Sequence, residues 1–230
     1  MEHEVVTRDA WLNARKELLA REKEFTRLRD ELSRRRRALP WEPVEKEYVF
    51  EGADGRRTLA ELFDGRSQLV VYHFMFEPEW DEGCKSCSFW ADNFDPNVIH
   101  LKARDVTMVA VSRAPYPKLA AYQQRMGWSF PWYSSAGTDF NVDYGVTFAP
   151  EDQERETYNF GSLAPHMAER EGVSVFYQDP GRVFHTYSTY ARGIDLLNTA
   201  YNYLDLVPKG RDEDGESPQS WVRRHDEYDA

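Results

Sequence analysis

Two cysteines in 230 residues cannot build the disulfide framework on which small secreted domains depend. The chain also lacks any apolar run near the roughly 18–20 residues that a membrane-spanning helix requires. Positive charge is short as well. Against 40 Asp and Glu stand 29 Lys and Arg, a formal net charge of −11, which argues against a nucleic-acid-binding surface by bulk electrostatics. The 13 glycines and 12 prolines are scattered and form no low-complexity linker. The opening Met1-Glu2-His3-Glu4-Val5-Val6 holds no apolar segment of signal-peptide type. These absences predict a cytoplasmic protein with neither nucleic acid nor membrane among its partners.

What is present is enough hydrophobic (41%) and aromatic (14%) material for a sizeable core. The two cysteines form one motif, Cys84-Lys85-Ser86-Cys87. Before it runs Leu69-Val70-Val71-Tyr72-His73-Phe74-Met75-Phe76, rich in β-branched and aromatic residues, which reads as a buried strand. After it, Ser88 to about Arg104 reads as a helix that Pro96 ends or kinks near Asp95. A dithiol between a strand and a helix start is a thioredoxin-type redox arrangement. In a reducing cytosol such a pair is catalytic or metal-binding, not a structural staple.

Residues 1–39 are expected to hold one long amphipathic helix, capped by Thr7 and closed by Arg34-Arg35-Arg36-Arg37. Trp11, Leu18, Phe25 and Leu32 recur every seven residues along it, so a homodimer paired through this stripe is a candidate arrangement. Residues 40–209 carry the main domain, and 210–230 a polar tail in which Trp221 predicts docking. Within the domain, strands are expected at Tyr48–Phe50, Leu69–Phe76, Val106–Ser112, Val173–Gln178 and Val183–Tyr187, with helices at Tyr116–Met126 and Ile194–Leu206. Early strands joined through helices should be parallel, and the late pair joined by Asp179-Pro180-Gly181 must be antiparallel. The expected fold is a thioredoxin-like three-layer α/β/α sandwich with a mixed central sheet, plus the long N-terminal helix.

Asp54-Gly55, the stretch Thr58-Leu59-Ala60-Glu61-Leu62-Phe63-Asp64-Gly65-Arg66 and the following strand resemble thioredoxin-fold proteins of the thiol-peroxidase and membrane-tethered reductase type. The whole chain is similar to a bacterial family described as predicted dithiol-disulfide oxidoreductases. The stretches that carry this are Leu39-Pro40-Trp41, Val70–Phe76, Cys84–Asp92 and Trp221-Val222-Arg223-Arg224-His225-Asp226. The resemblance implies Cys84 as the attacking thiol and Cys87 as the resolving one, with no added cofactor and a thiol or disulfide partner, protein or small molecule. Two departures stand out. Thioredoxins place a cis-proline before the penultimate strand, where this chain has Val173. Peroxidases of this fold carry Pro-x-x-x-Thr/Ser-x-x-Cys, where this chain has Glu77 and Asp81 ahead of Cys84, or Trp80 and Cys84 ahead of Cys87.

The buried carboxylate that thioredoxins keep near the dithiol has its counterpart, by alignment of the apolar strand, near His73, a candidate for proton transfer. Lys85 favours a Cys84 thiolate, while Glu82 and its acidic neighbours oppose one if they face the sulfur. Trp80 and Trp90 are candidates for lining the site. The alternatives are a binding or assembly module with an idle dithiol, an atypical peroxidase, or a metal site, the last needing His73 and His100 to converge on the cysteines. A homodimer through the N-terminal stripe is expected to sediment at twice the 27.0 kDa chain mass at micromolar concentration; the monomer mass refutes it.

Overall fold

The computed structural model describes residues 3–213 and 218–229. Residues 1–2 of the N-terminal reading, and 214–217 and 230 of the expected tail, lie outside the described residues. The chain divides into two units, Met1–Pro40 and Trp41–Ala230. The first is a single helix, Arg8–Arg37 (α1). Thr7 caps it through its Oγ1, which accepts from the Ala10 N–H at 3.3 Å, and four arginines fill its last turn. Its apolar stripe is exposed: Trp11, Leu18, Phe25 and Leu32 each keep half or more of their surface in solvent. Among the described residues no helix is long and apolar enough to cross a membrane.

The second unit is built on one mixed sheet. Its strands are Glu42–Pro43 (β1), Val49–Gly52 (β2), Gly55–Thr58 (β3), Gln68–His73 (β4), Val106–Ser112 (β5), Trp132–Ser134 (β6), Gly172–Asp179 (β7) and Arg182–Tyr190 (β8). They lie in the order β1-β8-β7-β4-β5-β6-β2-β3. β4 runs parallel to β5 and antiparallel to β7, and β7 and β8 form the late antiparallel hairpin. The central order β5-β4-β7-β8 is the thioredoxin-like arrangement. Helices Lys85–Ala91 (α2), Asp95–Lys102 (α3), Tyr116–Arg125 (α4), Phe140–Asp143 (α5) and Thr199–Leu204 (α6) complete the unit.

Alternation along β4 divides the interior. Tyr72 and Phe74 pack with Cys87, Trp90, Leu119, Tyr122 and Tyr201 on one face. Leu69 and Val71 pack with Leu62, Phe63 and Phe140 on the other. Helical elements therefore cover both faces of the sheet.

Several elements differ from expectation for identifiable reasons. The helix after the dithiol breaks just ahead of Asp95, as Pro96 leads one to expect, but the chain then starts a second helix, α3, with Pro96 in a first-turn position where its missing N–H costs nothing. The closing helix is broken. A 3₁₀ turn at Ala191–Leu197 precedes α6, and the Asn198 side chain recaps the chain by accepting from Tyr201 N–H at 3.0 Å. β1 and β6, two and three residues long, are too short to leave a periodic pattern.

His73 corrects the sequence reading most directly. It lies on the face away from the dithiol, with its ring 5.5 Å from Phe140 and 6.3 Å from Tyr144. Its Nε2 joins a polar chain: Ser174 Oγ at 2.8 Å, then Ser188 Oγ at 2.9 Å, then His185 Nε2 at 2.8 Å. Burial, helped by His185, pulls the His73 pKa down to about 3. An unfolded histidine takes its proton near pH 6.5, so protonation below that value favours the unfolded chain. Stability contributed by neutral His73 is thus present above about pH 6.5 and drains away as pH falls toward 3. His73→Gln is expected to flatten that slope in urea titrations between pH 7 and pH 5, and to cost about 1–3 kcal/mol at pH 7 through disturbed hydrogen bonding. Identical slopes in the two proteins would refute this assignment.

Candidate active site

β4 and the dithiol are joined by a loop that returns the chain to the strand's end. Met75 closes this loop with its own peptide groups. Its carbonyl accepts from the Cys84 N–H at 3.1 Å, and its N–H donates to the Cys87 sulfur at 3.4 Å. Gly83 sits where a Cβ would come within 2.8 Å of both the Phe74 and Tyr122 rings, so only glycine lets the loop lie this close to the core. Cys84 is the residue that starts α2, partly buried, and Cys87 lies one turn in, buried; both are free thiols.

The two sulfurs are unequal. The Cys87 thiol hydrogen-bonds to the Cys84 sulfur, and the N–H groups of Cys87 and Ser86 add to it. Burial and Glu171 work against these, and the balance pulls Cys84 down to about 7. Burial pushes Cys87 well above its ordinary value, with the Cys84 sulfur and Glu171 acting in the same direction. At pH 7 about half of Cys84 is therefore thiolate, against a few per cent for an ordinary thiol.

A cavity of about 510 Å³ opens beside the pair, lined by Tyr72, Met75, Trp90, Arg170, Glu171 and Asp195 among others. Of the residues singled out in the sequence, Trp90 lines this cavity, and its Nε1–H donates to the Ile194 carbonyl at 3.0 Å. Val173, the second residue of β7, lies opposite Tyr72 in the sheet and packs in the same cluster as Cys87. Trp80 packs on that cluster from the loop. Lys85 turns to the Ser220 carbonyl at 3.4 Å instead of the sulfur. Glu82 also faces away, paired with Arg125 and, at 2.9 Å, with Arg224. His73 and the exposed His100 do not join the cysteines, and among the described residues no three of His, Cys, Asp and Glu cluster as a metal shell would require.

Sequence reasoning missed three participants. Glu171 precedes β7 and is the carboxylate that bears on both sulfurs. Tyr72 faces the dithiol where His73 was expected, because a strand's alternation is visible in sequence but which set faces the motif is not. Arg224 lies in the stretch Trp221–Asp226, whose resemblance was legible but whose place was not. Its Nη2 donates to the Gly83 carbonyl at 2.9 Å and its Nε to Tyr122 Oη at 2.8 Å. Tyr122 Oη lies 2.9 Å from Ser88 Oγ, which in turn donates to the Cys84 carbonyl at 2.9 Å. The same stretch is pinned by His225 Nδ1 to Asp92 at 2.7 Å, and the ring of Trp221 meets that of Phe89 at 5.5 Å.

A family model described as "Bacterial protein of unknown function (DUF899)" matches residues 1–228. No curated protein matches the chain. Among solved structures, peroxidoxin BcpB from Mycobacterium tuberculosis is similar at 16% identity, over 70% of this chain and 94% of its own, with a TM-score of 0.47. The bacterioferritin comigratory protein of Xanthomonas campestris is similar at 14% identity, over 69% and 95%, with a TM-score of 0.43. A mutant PrxQ from Xylella fastidiosa is similar at 11% identity, over 68% and 89%, with a TM-score of 0.40.

Arg224 makes a direct prediction. Arg224→Ala removes the hold on Gly83 and is expected to raise the apparent pKa of Cys84 in alkylation profiles and to cost about 1–3 kcal/mol of stability. Arg224→Lys keeps the charge without the fork and should not restore either. Wild-type alkylation profiles in both variants would show that this contact does not shape the dithiol.

Proposed function

The chain belongs to the family described as bacterial protein of unknown function (DUF899), and from the geometry of its paired sulfurs we propose that it is a thiol-disulfide oxidoreductase. The observation that carries the reading is a partly buried Cys84 sulfur at a helix start and beside a cavity, with the buried Cys87 thiol one turn further in and lining the same cavity. This arrangement divides the labour that exchange chemistry needs. Cys84 as thiolate attacks one sulfur of a disulfide; the old S–S bond breaks and one thiolate departs. Cys87 then attacks the Cys84 sulfur of the mixed disulfide, expelling the second thiolate and forming the Cys84–Cys87 disulfide. The substrate gains two electrons and the protein loses two. A partner thiol pair returns them by the reverse steps, so no added cofactor is needed.

The proposed setting is a reducing cytosol, where a dithiol is kept available for turnover, and the proposed partners are thiol or disulfide compounds, protein or small. The rival reading, a binding module with an idle dithiol, needs a Cys84 no more reactive than an ordinary thiol.

Alkylation by iodoacetamide as a function of pH separates the two. Wild-type Cys84 is expected to titrate near pH 7 and to react at pH 7 about threefold faster than an unactivated cysteine, its larger thiolate fraction being partly offset by lower nucleophilicity. Cys87→Ala, which removes the sulfur donor, is expected to move that midpoint upward. A wild-type midpoint at the ordinary thiol value would sink the oxidoreductase proposal.

A further inference from the structure

The resolving step has an unmet requirement. In the reduced protein, Cys87 directs its proton at the Cys84 sulfur. Once Cys84 is tied up in a mixed disulfide, its anionic charge is gone. Cys87 must still become a thiolate to attack, within the buried cluster that also holds Trp90, Val173 and Tyr72. An anion forming among apolar groups is costly unless hydrogen-bond donors meet it. The Met75 N–H supplies one, at 3.4 Å. Glu171, whose charge raises the Cys87 pKa, works against it.

Tyr72 is the remaining group in place. Its side chain is fully buried in the cluster that holds Cys87, and it lines the same cavity as both sulfurs. Its hydroxyl is buried with no hydrogen-bond partner among the described residues. A buried hydroxyl left without a partner is costly, and Phe at this position would avoid that cost. After burial itself, the Cys87 sulfur is the strongest influence on this hydroxyl, followed by Glu171 and Cys84. The other charged groups of the cavity wall are Arg170, Arg192 and Asp195.

We propose that the Tyr72 hydroxyl is the hydrogen-bond donor reserved for the Cys87 thiolate, so that it lowers the barrier to resolution of the mixed disulfide without activating Cys84. This inference rests on the oxidoreductase reading above and assigns a residue within it. The balance is simple. The Cys87 S–H proton passes to cavity water, Tyr72 keeps its own proton and donates a hydrogen bond to the anion, and the anion attacks the Cys84 sulfur. The Cys84–S–S–R bond breaks, RS⁻ leaves, and the Cys84–Cys87 bond forms. Tyr72 is neither oxidised nor reduced.

The test uses the full-length reduced protein and 5,5′-dithiobis(2-nitrobenzoic acid), whose thiolate product absorbs. Attack by Cys84 releases one coloured equivalent; resolution by Cys87 releases the second. Cys87→Ser should stop after the first. Tyr72→Phe is expected to keep the first burst, slow the second about tenfold, as loss of one hydrogen bond to a charged group does, and move the pH midpoint of the second phase upward. A second phase with wild-type rate and midpoint in Tyr72→Phe overturns the assignment while leaving the oxidoreductase reading in place. A wild-type protein that never releases the second equivalent overturns both. Should Tyr72→Phe fail to fold, 3-fluorotyrosine at position 72 keeps the shape and makes the hydroxyl a better donor. The midpoint of the second phase should then fall, and an unmoved midpoint overturns the assignment.

Discussion

The backbone of one residue sets the geometry on which the site depends. Met75 uses its carbonyl to hold the amide of Cys84 at 3.1 Å and its amide to hold the sulfur of Cys87 at 3.4 Å. Both thiols are thereby referenced to the end of a central strand, not to a loop free to drift. The inequality of the sulfurs follows from this. Cys87 is fixed beneath the surface, where burial keeps it protonated and makes it a donor. Cys84 is left at the rim to receive that bond together with the first amides of the helix. Neither thiol has its character from its own residue type; each has it from the other's position.

The net charge of −11 sets a second condition, since anions near the pair would undo the activation. The chain meets it with arginines. Arg125 and Arg224 draw Glu82 outward, and Arg125 also engages Asp226 at 2.7 Å. These are partly exposed pairs of small energetic value singly. Their effect here is directional, because they decide where carboxylates point. Glu171 still bears on both sulfurs, and it adds to burial, the larger counterweight, in keeping Cys84 near neutrality.

Most of the architecture was legible because it rests on local signals. The strand Val106–Ser112 agrees with its expected limits to the residue, and the late hairpin is announced by its turn at Pro180-Gly181. Thr7 and the arginine run bound the first helix for capping and dipole reasons. The cysteine spacing located the site itself. What escaped depends on long-range placement. The face of Leu69–Phe76 that meets the dithiol is fixed by pairing with β5 and β7, so His73 and Tyr72 exchange the roles that linear alignment suggests. Lys85 and Glu82 look local to the sulfur in sequence, yet partners from distant segments turn them away. Arg224 and Glu171 lie far along the chain from the cysteines, and no spacing rule connects them.

The contact between Arg224 and the Gly83 carbonyl spans 141 residues. Synthesis proceeds from the dithiol toward the arginine, so the loop that presents Cys84 stays unfinished through most of the chain's emergence from the ribosome. During that interval the loop lacks the brace that the finished fold gives it. The order of synthesis thus delays completion of the site: the loop that carries the two cysteines is held by Arg224 only after nearly the whole chain has been made.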